Sequence, residues 1–214
     1  MPLRILTCLL MLGLLPSCLT YYQRKSDFNE AFEQARFQKA ERILNTSKPQ
    51  RKNQLLYFLN KGMTAFMQSE YEASNKAFEQ AYLTAETFQP DPGRKLASYF
   101  INPRITRYSG EDHEVLLINY FKALNYLFLN QPRKALVECR RMNIQLDVLN
   151  LQYKDKRHKY QADAFINLLM GLIYDANQDY NNAFIAYRNA YQVYQEDYQE
   201  LFGMQAPAQL KADL

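Results

Sequence analysis

The chain has 214 residues, with 26 Lys and Arg against 22 Asp and Glu, for a net charge of only +4. So small and dispersed an excess makes no case for nucleic acid as a partner. Aromatic residues reach 14% while glycine numbers only 6, and no sustained period-two alternation appears, which disfavours a strand-and-turn fold.

Residues 1–18 read Met-Pro-Leu-Arg, an apolar run from Ile5 to Leu15, and then Pro16-Ser17-Cys18. One basic residue, an apolar core and a small residue ahead of a cysteine make a secretory signal. A permanent membrane span needs about 20 apolar residues, and this run is shorter. The ending resembles the lipobox of bacterial lipoproteins, in which Leu and then a small residue precede the lipidated cysteine. Pro16 departs from the commonest pattern at its position, and a plain signal peptide with a chance cysteine is the alternative. The resemblance implies cleavage before Cys18 and acylation of its sulfur and of the new amino terminus, a stable anchor when two or more chains are attached. Leu19, with no acidic run after it, favours an outer-membrane lipoprotein facing the periplasm. Cys8 would leave with the signal, so Cys139 would remain as a lone buried thiol with no disulfide partner in the mature chain.

Four stretches then superimpose on one 34-residue template. In residues 21–54 its positions 8, 11, 17, 20, 24 and 27 hold Phe28, Ala31, Phe37, Ala40, Leu44 and Ser47. One period later, in 55–88, they hold Gly62, Ala65, Tyr71, Ser74, Phe78 and Ala81. Residues 116–149 give Ala123, Tyr126, Pro132, Ala135, Cys139 and Met142, and residues 164–197 give Gly171, Tyr174, Tyr180, Ala183, Tyr187 and Ala190. Small residues at positions 8 and 20 let two helices approach closely. Aromatics at 11, 17 and 24 are expected to fill the space around that contact and bridge to the next pair. These are the packing positions of a tetratricopeptide repeat, a helix–turn–helix unit of this length. The expected fold is all-α, a tetratricopeptide-like helical-hairpin solenoid with about four repeats and two insertions. Repeats one and two span 19–86, an inserted segment 87–115, and repeats three and four with the start of a further helix 116–214.

The first insertion carries Pro90, Pro92, Gly93, Pro103 and Gly110, which punctuate loops, yet also Tyr99, Phe100, Ile101, Ile105 and Tyr108. That apolar content predicts an ordered excursion, with a short helix from Gly93 to Phe100. It closes on Glu111, Asp112, His113 and Glu114, the one candidate segment for site chemistry. Consecutive residues on a helix point about 100° apart, so these four do not share a face as metal ligands would. Ser109 with Asp112 three residues on is expected to cap a helix, and first-turn carboxylates suit its dipole. The second insertion, Asn150 to Asp163, holds Lys154, Lys156, Arg157, His158 and Lys159, expected as a solvated loop or the polar face of an extended helix. Ala206 to Leu214 reads as the first two turns of a helix with Pro207 early in it, as in a truncated chain.

In such repeats the first helix of each pair lines an inner curve. Its residues here are Leu59, Met63, Phe66 and Met67, then Tyr120, Leu124, Leu127 and Phe128, then Phe165, Leu168 and Leu172. A groove so apolar needs a cover, and a protein or peptide partner is expected there. The Lys, Arg and Asn cluster that would clamp a peptide's terminal carboxylate is absent from these three copies.

The run from Tyr108 to Glu114, continuing through Asn119-Tyr120-Phe121-Lys122-Ala123-Leu124-Asn125-Tyr126-Leu127 and closing with Glu138-Cys139-Arg140-Arg141, resembles a family of uncharacterised repeat-containing lipoproteins of Gram-negative, Bacteroidetes-type bacteria. Asp179 to Ala190 is similar too. The resemblance implies a longer parent chain and no established activity, so no residue inherits a catalytic role, and no cofactor or metal is expected. The expected function is therefore that of a lipid-anchored cell-envelope scaffold and not of an enzyme. The alternative is an envelope hydrolase or metal-dependent enzyme using Glu111 to Glu114, with Arg104 and Arg107 on an anionic substrate.

Overall fold

A computed structural model of the chain describes residues 16–46, 49–87, 108–152 and 163–214. Most of the signal, Ser47, the Gly93–Phe100 helix, Arg104, Arg107 and the Lys154–Lys159 run lie outside them. The described residues are helical, with no strand among them. They form α1 (Pro16–Glu33), α2 (Phe37–Asn45), α3 (Gln54–Met67), α4 (Tyr71–Glu86), α5 (Asp112–Phe128), α6 (Pro132–Gln152), α7 (Ala164–Ala176) and α8 (Tyr180–Val193). Two short helices, α9 (Gln199–Phe202) and α10 (Ala208–Ala212), follow a π-helical turn at Tyr194–Tyr198. None is long and apolar enough to cross a membrane among the described residues.

Each helix packs on the next: α1 on α2, α3 on α4, α5 on α6 and α7 on α8 within pairs, and α2 on α3, α4 on α5 and α6 on α7 between them. Four turns of one geometry close the four pairs. Ala35, Ser69, Asn130 and Gln178 all take left-handed backbone angles, with φ of 54°, 60°, 54° and 60°. In each turn the N–H of the following residue reaches back five residues, as Arg36 N–H to Ala31 C=O (2.8 Å), Glu70 to Ala65 (2.9 Å), Gln131 to Tyr126 (2.7 Å) and Asp179 to Tyr174 (2.9 Å). This is the Schellman closure of a helix end. All four left-handed residues occupy position 15 of the 34-residue template.

The core is a series of clusters rather than one centre, as a stack without a single core requires. Phe28, Ala31 and Ala40 seal α1 against α2. Leu55, Phe78 and Ala81 of α3 and α4 take in Ile118 of α5. Ala123, Ala135, Cys139 and Met142 of the third pair meet Ile166, Leu169 and Ile173 of α7. Ala183, Tyr187 and Ala190 close the last pair, and Leu210 of α10, only 1% exposed, packs there while Leu214 is left outside. The small residues act as expected at position 8. A Cβ on Gly62 would lie 2.8 Å from the Phe78 ring, and one on Gly171 would overlap the Tyr187 ring.

Two expectations are corrected. Tyr180, at template position 17, is 66% exposed and fills nothing. Its counterpart Tyr71 stacks on Phe128 of the following pair at 4.8 Å, and among the described residues no such helix covers Tyr180. The cap of α5 is Glu111, not Ser109: Glu111 has extended backbone and its N–H donates to the Glu114 carboxylate at 2.9 Å. Gly110 sets this register, because its φ of +81° turns the chain where a Cβ would lie 2.9 Å from Leu55.

Candidate functional site

Eleven apolar side chains were expected to line the inner curve, and they divide into two sets. Met67, Phe128, Phe165 and Leu172 are exposed, between 44% and 59%. Leu59, Met63 and Phe66 are half-buried, the first two against the Leu55–Phe78–Ile118 cluster. Tyr120, Leu124 and Leu127 pack on the cluster shared by α5, α6 and α7, and Leu168 on the one around Tyr187. So the floor of the expected groove is also the seam between helix pairs. Its half-buried members support the stack, and the four exposed ones present apolar surface to solvent.

Aromatic rings join these residues across three successive first helices. Phe66 of α3 meets Phe121 of α5 edge-on at 5.1 Å and Phe128 at 6.1 Å. Tyr120 meets Phe121 at 5.0 Å and Phe165 of α7 at 5.3 Å. Such edge-to-face pairs add to plain burial. Burial also pushes the Tyr120 hydroxyl above its ordinary pKa. Phe121 was not among the expected groove residues, although its neighbour Tyr120 was. Exposed apolar side chains are not confined to this side, since Val137, Ile144 and Val148 stand out along α6.

The Glu111–Glu114 segment opens α5. Glu114 is occupied twice, by the Glu111 N–H and by the Tyr108 hydroxyl, and Tyr108 in turn donates its backbone N–H to the Lys52 carbonyl at 2.8 Å. Burial, and then the Glu114 carboxylate, push the Tyr108 hydroxyl well above the usual tyrosine range. Glu114 thus ties the start of α5 to the start of α3. Glu111 and His113 are exposed, on different sides of the helix. Among the described residues no three or more His, Cys, Asp or Glu side chains are grouped as a metal site would need.

The most concentrated chemistry lies where it was not expected. Lys122 of α5 is 1% exposed, and its Nζ stands 2.5 Å from Glu79 of α4 and 3.1 Å from Glu138 of α6. Arg141 lies 3.3 Å from Glu138 and 3.8 Å from Glu79, completing two cations on two carboxylates. Burial opposes the Arg141 charge, but Glu138 and Glu79 overcome it and raise its pKa. The Tyr82 ring sits 5.7 Å from Lys122 Nζ and 5.4 Å from the Arg141 guanidinium. Burial, and then the bond to Glu86, push its hydroxyl up to about 12. A lysine this buried is rare unless paired. Asn119 and Asn125 continue the same face of α5: Asn119 donates to Gln145 at 3.1 Å, and Asn125 to the Ser74 hydroxyl at 2.9 Å. Ser74 donates onward to the Gly62 carbonyl at 2.9 Å.

This polar seam holds α5 between α4 and α6. A faint signal for it existed. Glu138 occupies template position 23, where Ala77 and Ala186, both buried, stand in the second and fourth copies. Cys139 beside it is fully buried, and burial followed by the Glu138 charge pushes its thiol up to about 12, so it is an inert packing group. No family model, curated protein or solved structure matches the chain.

Proposed function

We propose that the chain is a tetratricopeptide-type scaffold of four repeats, held at the cell envelope through lipid on Cys18, that binds an apolar segment of a protein or peptide in its inner groove. One observation carries the reading: Met67, Phe128, Phe165 and Leu172 are exposed on three successive first helices whose rings run in contact from Phe66 to Phe165. Surface apolar groups joined in this way mark an interaction site more often than scattered ones do. The repeat assignment draws support from the four like turns at one template position. The anchor draws its support from the lipobox-like run, the outer-membrane, periplasm-facing location from Leu19 with no acidic run after it, and kinship with the repeat lipoproteins of Gram-negative bacteria from the runs Tyr108–Glu114, Asn119–Leu127, Glu138–Arg141 and Asp179–Ala190.

The test is to screen the purified chain against a library of apolar peptides beside Phe128→Glu. Phe128 is 59% exposed but stacks on Tyr71 at 4.8 Å, so the variant is expected to stay folded with a loss of about 0.5–1.5 kcal/mol. Binding is expected to fall at least tenfold. A variant that binds every selected peptide as well as the parent removes the groove from the function. Mass analysis of the amino-terminal fragment, with and without Cys18→Ser, tests the anchor separately.

A further inference from the structure

The last helix pair presents a face that the chain covers only in part. Where α4 meets the next pair, Tyr71 stacks on Phe128 at 4.8 Å, Asn75 accepts from Asn125 at 3.1 Å and Glu79 stands 2.5 Å from Lys122. The same template positions of the fourth copy put Tyr180, Phe184 and Arg188 on α8. All three are exposed, Tyr180 at 66% and Phe184 at 46%. They follow one another at four-residue steps and so form one stripe along the helix. The far end of this slot is filled. Leu210 of α10 sits against Ala183, Tyr187 and Ala190 as Ile166 of α7 sits against Ala135, Cys139 and Met142. That short helix ends at Ala212, and the stripe lies beyond it.

We infer that the bare half of this slot docks a helix of a partner protein, one that presents a carboxylate at i, an apolar residue at i+3 and an aromatic ring at i+6. The spacing is that of Lys122, Asn125 and Phe128, the α5 residues that answer Glu79, Asn75 and Tyr71. The chemistry follows from what α8 carries instead. Arg188 in place of Glu79 reverses the charge required, Phe184 in place of Asn75 exchanges an amide for an apolar group, and Tyr180 keeps the ring. Arg188 belongs to none of the ion pairs among the described residues. Asp213, which follows α10, accepts from Gln209 at 2.6 Å. A second copy of the chain fits poorly, because its α1 offers Asp27 at the carboxylate's place but Glu30 and Glu33 at the two apolar ones. The face stands apart from the inner groove, and its precedent is the α4–α5 contact, whatever the groove binds.

The probe is a side-chain-stapled helical peptide of about 15 residues, with Glu, Leu and Phe at those three positions on an Ala–Gln host. A second peptide carries Lys in place of the Glu. Fluorescence anisotropy of each, titrated with the full chain, should show saturable binding of the Glu peptide, about fivefold tighter than that of the Lys peptide. Arg188→Glu should reverse the preference, and Tyr180→Ala should weaken the Glu peptide about tenfold. Both residues are exposed, and circular dichroism checks that both variants are folded. No saturable binding of the Glu peptide, or a preference that Arg188→Glu leaves in place, overturns the inference. A Glu peptide that is lost with Phe128→Glu and not with Arg188→Glu lies in the groove, and overturns it too. So does a dimer in the ultracentrifuge that Tyr180→Ala dissolves, which gives the face to a second copy.

Discussion

At position 171 a hydrogen atom separates a packed helix pair from a clash, because any Cβ there would enter the Tyr187 ring. Gly171→Ala should therefore cost about 1–3 kcal/mol through overpacking. Tyr187→Ala opens the opposite defect, a void beside Gly171, and should cost about 3–5 kcal/mol. Gln192 lies exposed on the same helix with a surface bond to Glu196, and its replacement by Ala should stay within about 0.5 kcal/mol. Urea unfolding of the three variants checks the order, and a Tyr187→Ala loss no larger than that at Gln192 would mean the pair is not closed by this contact. The four left-handed turn residues allow a test of the opposite sign. None of them is glycine, and each bears the steric penalty of a side chain at positive φ. Gln178→Gly should raise stability by about 0.5–1 kcal/mol, the relieved strain exceeding the added chain entropy of the unfolded state. A fall in the urea midpoint would contradict the turn geometry.

At the scale of elements, α5 is the member whose placement depends on charge. Its buried face offers Asn119, Lys122 and Asn125, and the neighbours on both sides answer with Glu79, Ser74 and Glu138. Removing one partner of such a pair costs far more than the pair contributes, because a carboxylate is left buried. Lys122→Met should cost about 3–5 kcal/mol, and adding Glu138→Leu should recover much of that loss. A double variant as weak as the single one would show that the seam acts through shape and not charge. The tyrosines at these junctions also set an alkaline limit. Tyr82 is raised to about 12, and Tyr108 and Tyr198 are raised too, all first by burial. Their folded pKa values exceed the unfolded value near 10. Their contribution is thus complete below pH 10 and is lost as pH climbs from 10 through 12. Denaturant midpoints at pH 8, 10 and 11 should show that fall, and Tyr82→Phe should make it shallower.

Across the whole molecule, stability and binding draw on different atoms of one surface. Leu59, Met63, Tyr120 and Leu124 are half-buried in the seams, so substitutions there should lower the unfolding midpoint and peptide binding together. Phe128 and Phe165 are half exposed and touch the seams only through ring contacts with Tyr71 and Tyr120, so Glu at either should cut binding at least tenfold while costing no more than about 0.5–1.5 kcal/mol of stability. A parallel loss of both properties at Phe128 would assign it to the stack.

The chain's own pattern determined the helical pairing, because a small residue facing a large one at fixed spacing is a local relation that sixteen residues of sequence contain, as in Gly62 with Phe78 and Gly171 with Tyr187. It also marked the first helices as apolar, though not which of their side chains would remain outside. The shared turns were not legible, because Ala35, Ser69, Asn130 and Gln178 have no residue type in common. Their left-handed angles follow from closing one helix against the next. Of the ion cluster only Glu138, at a template position where the second and fourth copies bury alanine, left a trace. Lys122 lies 43 residues from Glu79, across the inserted segment, and a lysine on a helix ordinarily faces water. Only the stacking of α4, α5 and α6 withdrew that ammonium from solvent and supplied the carboxylates that make its burial tolerable.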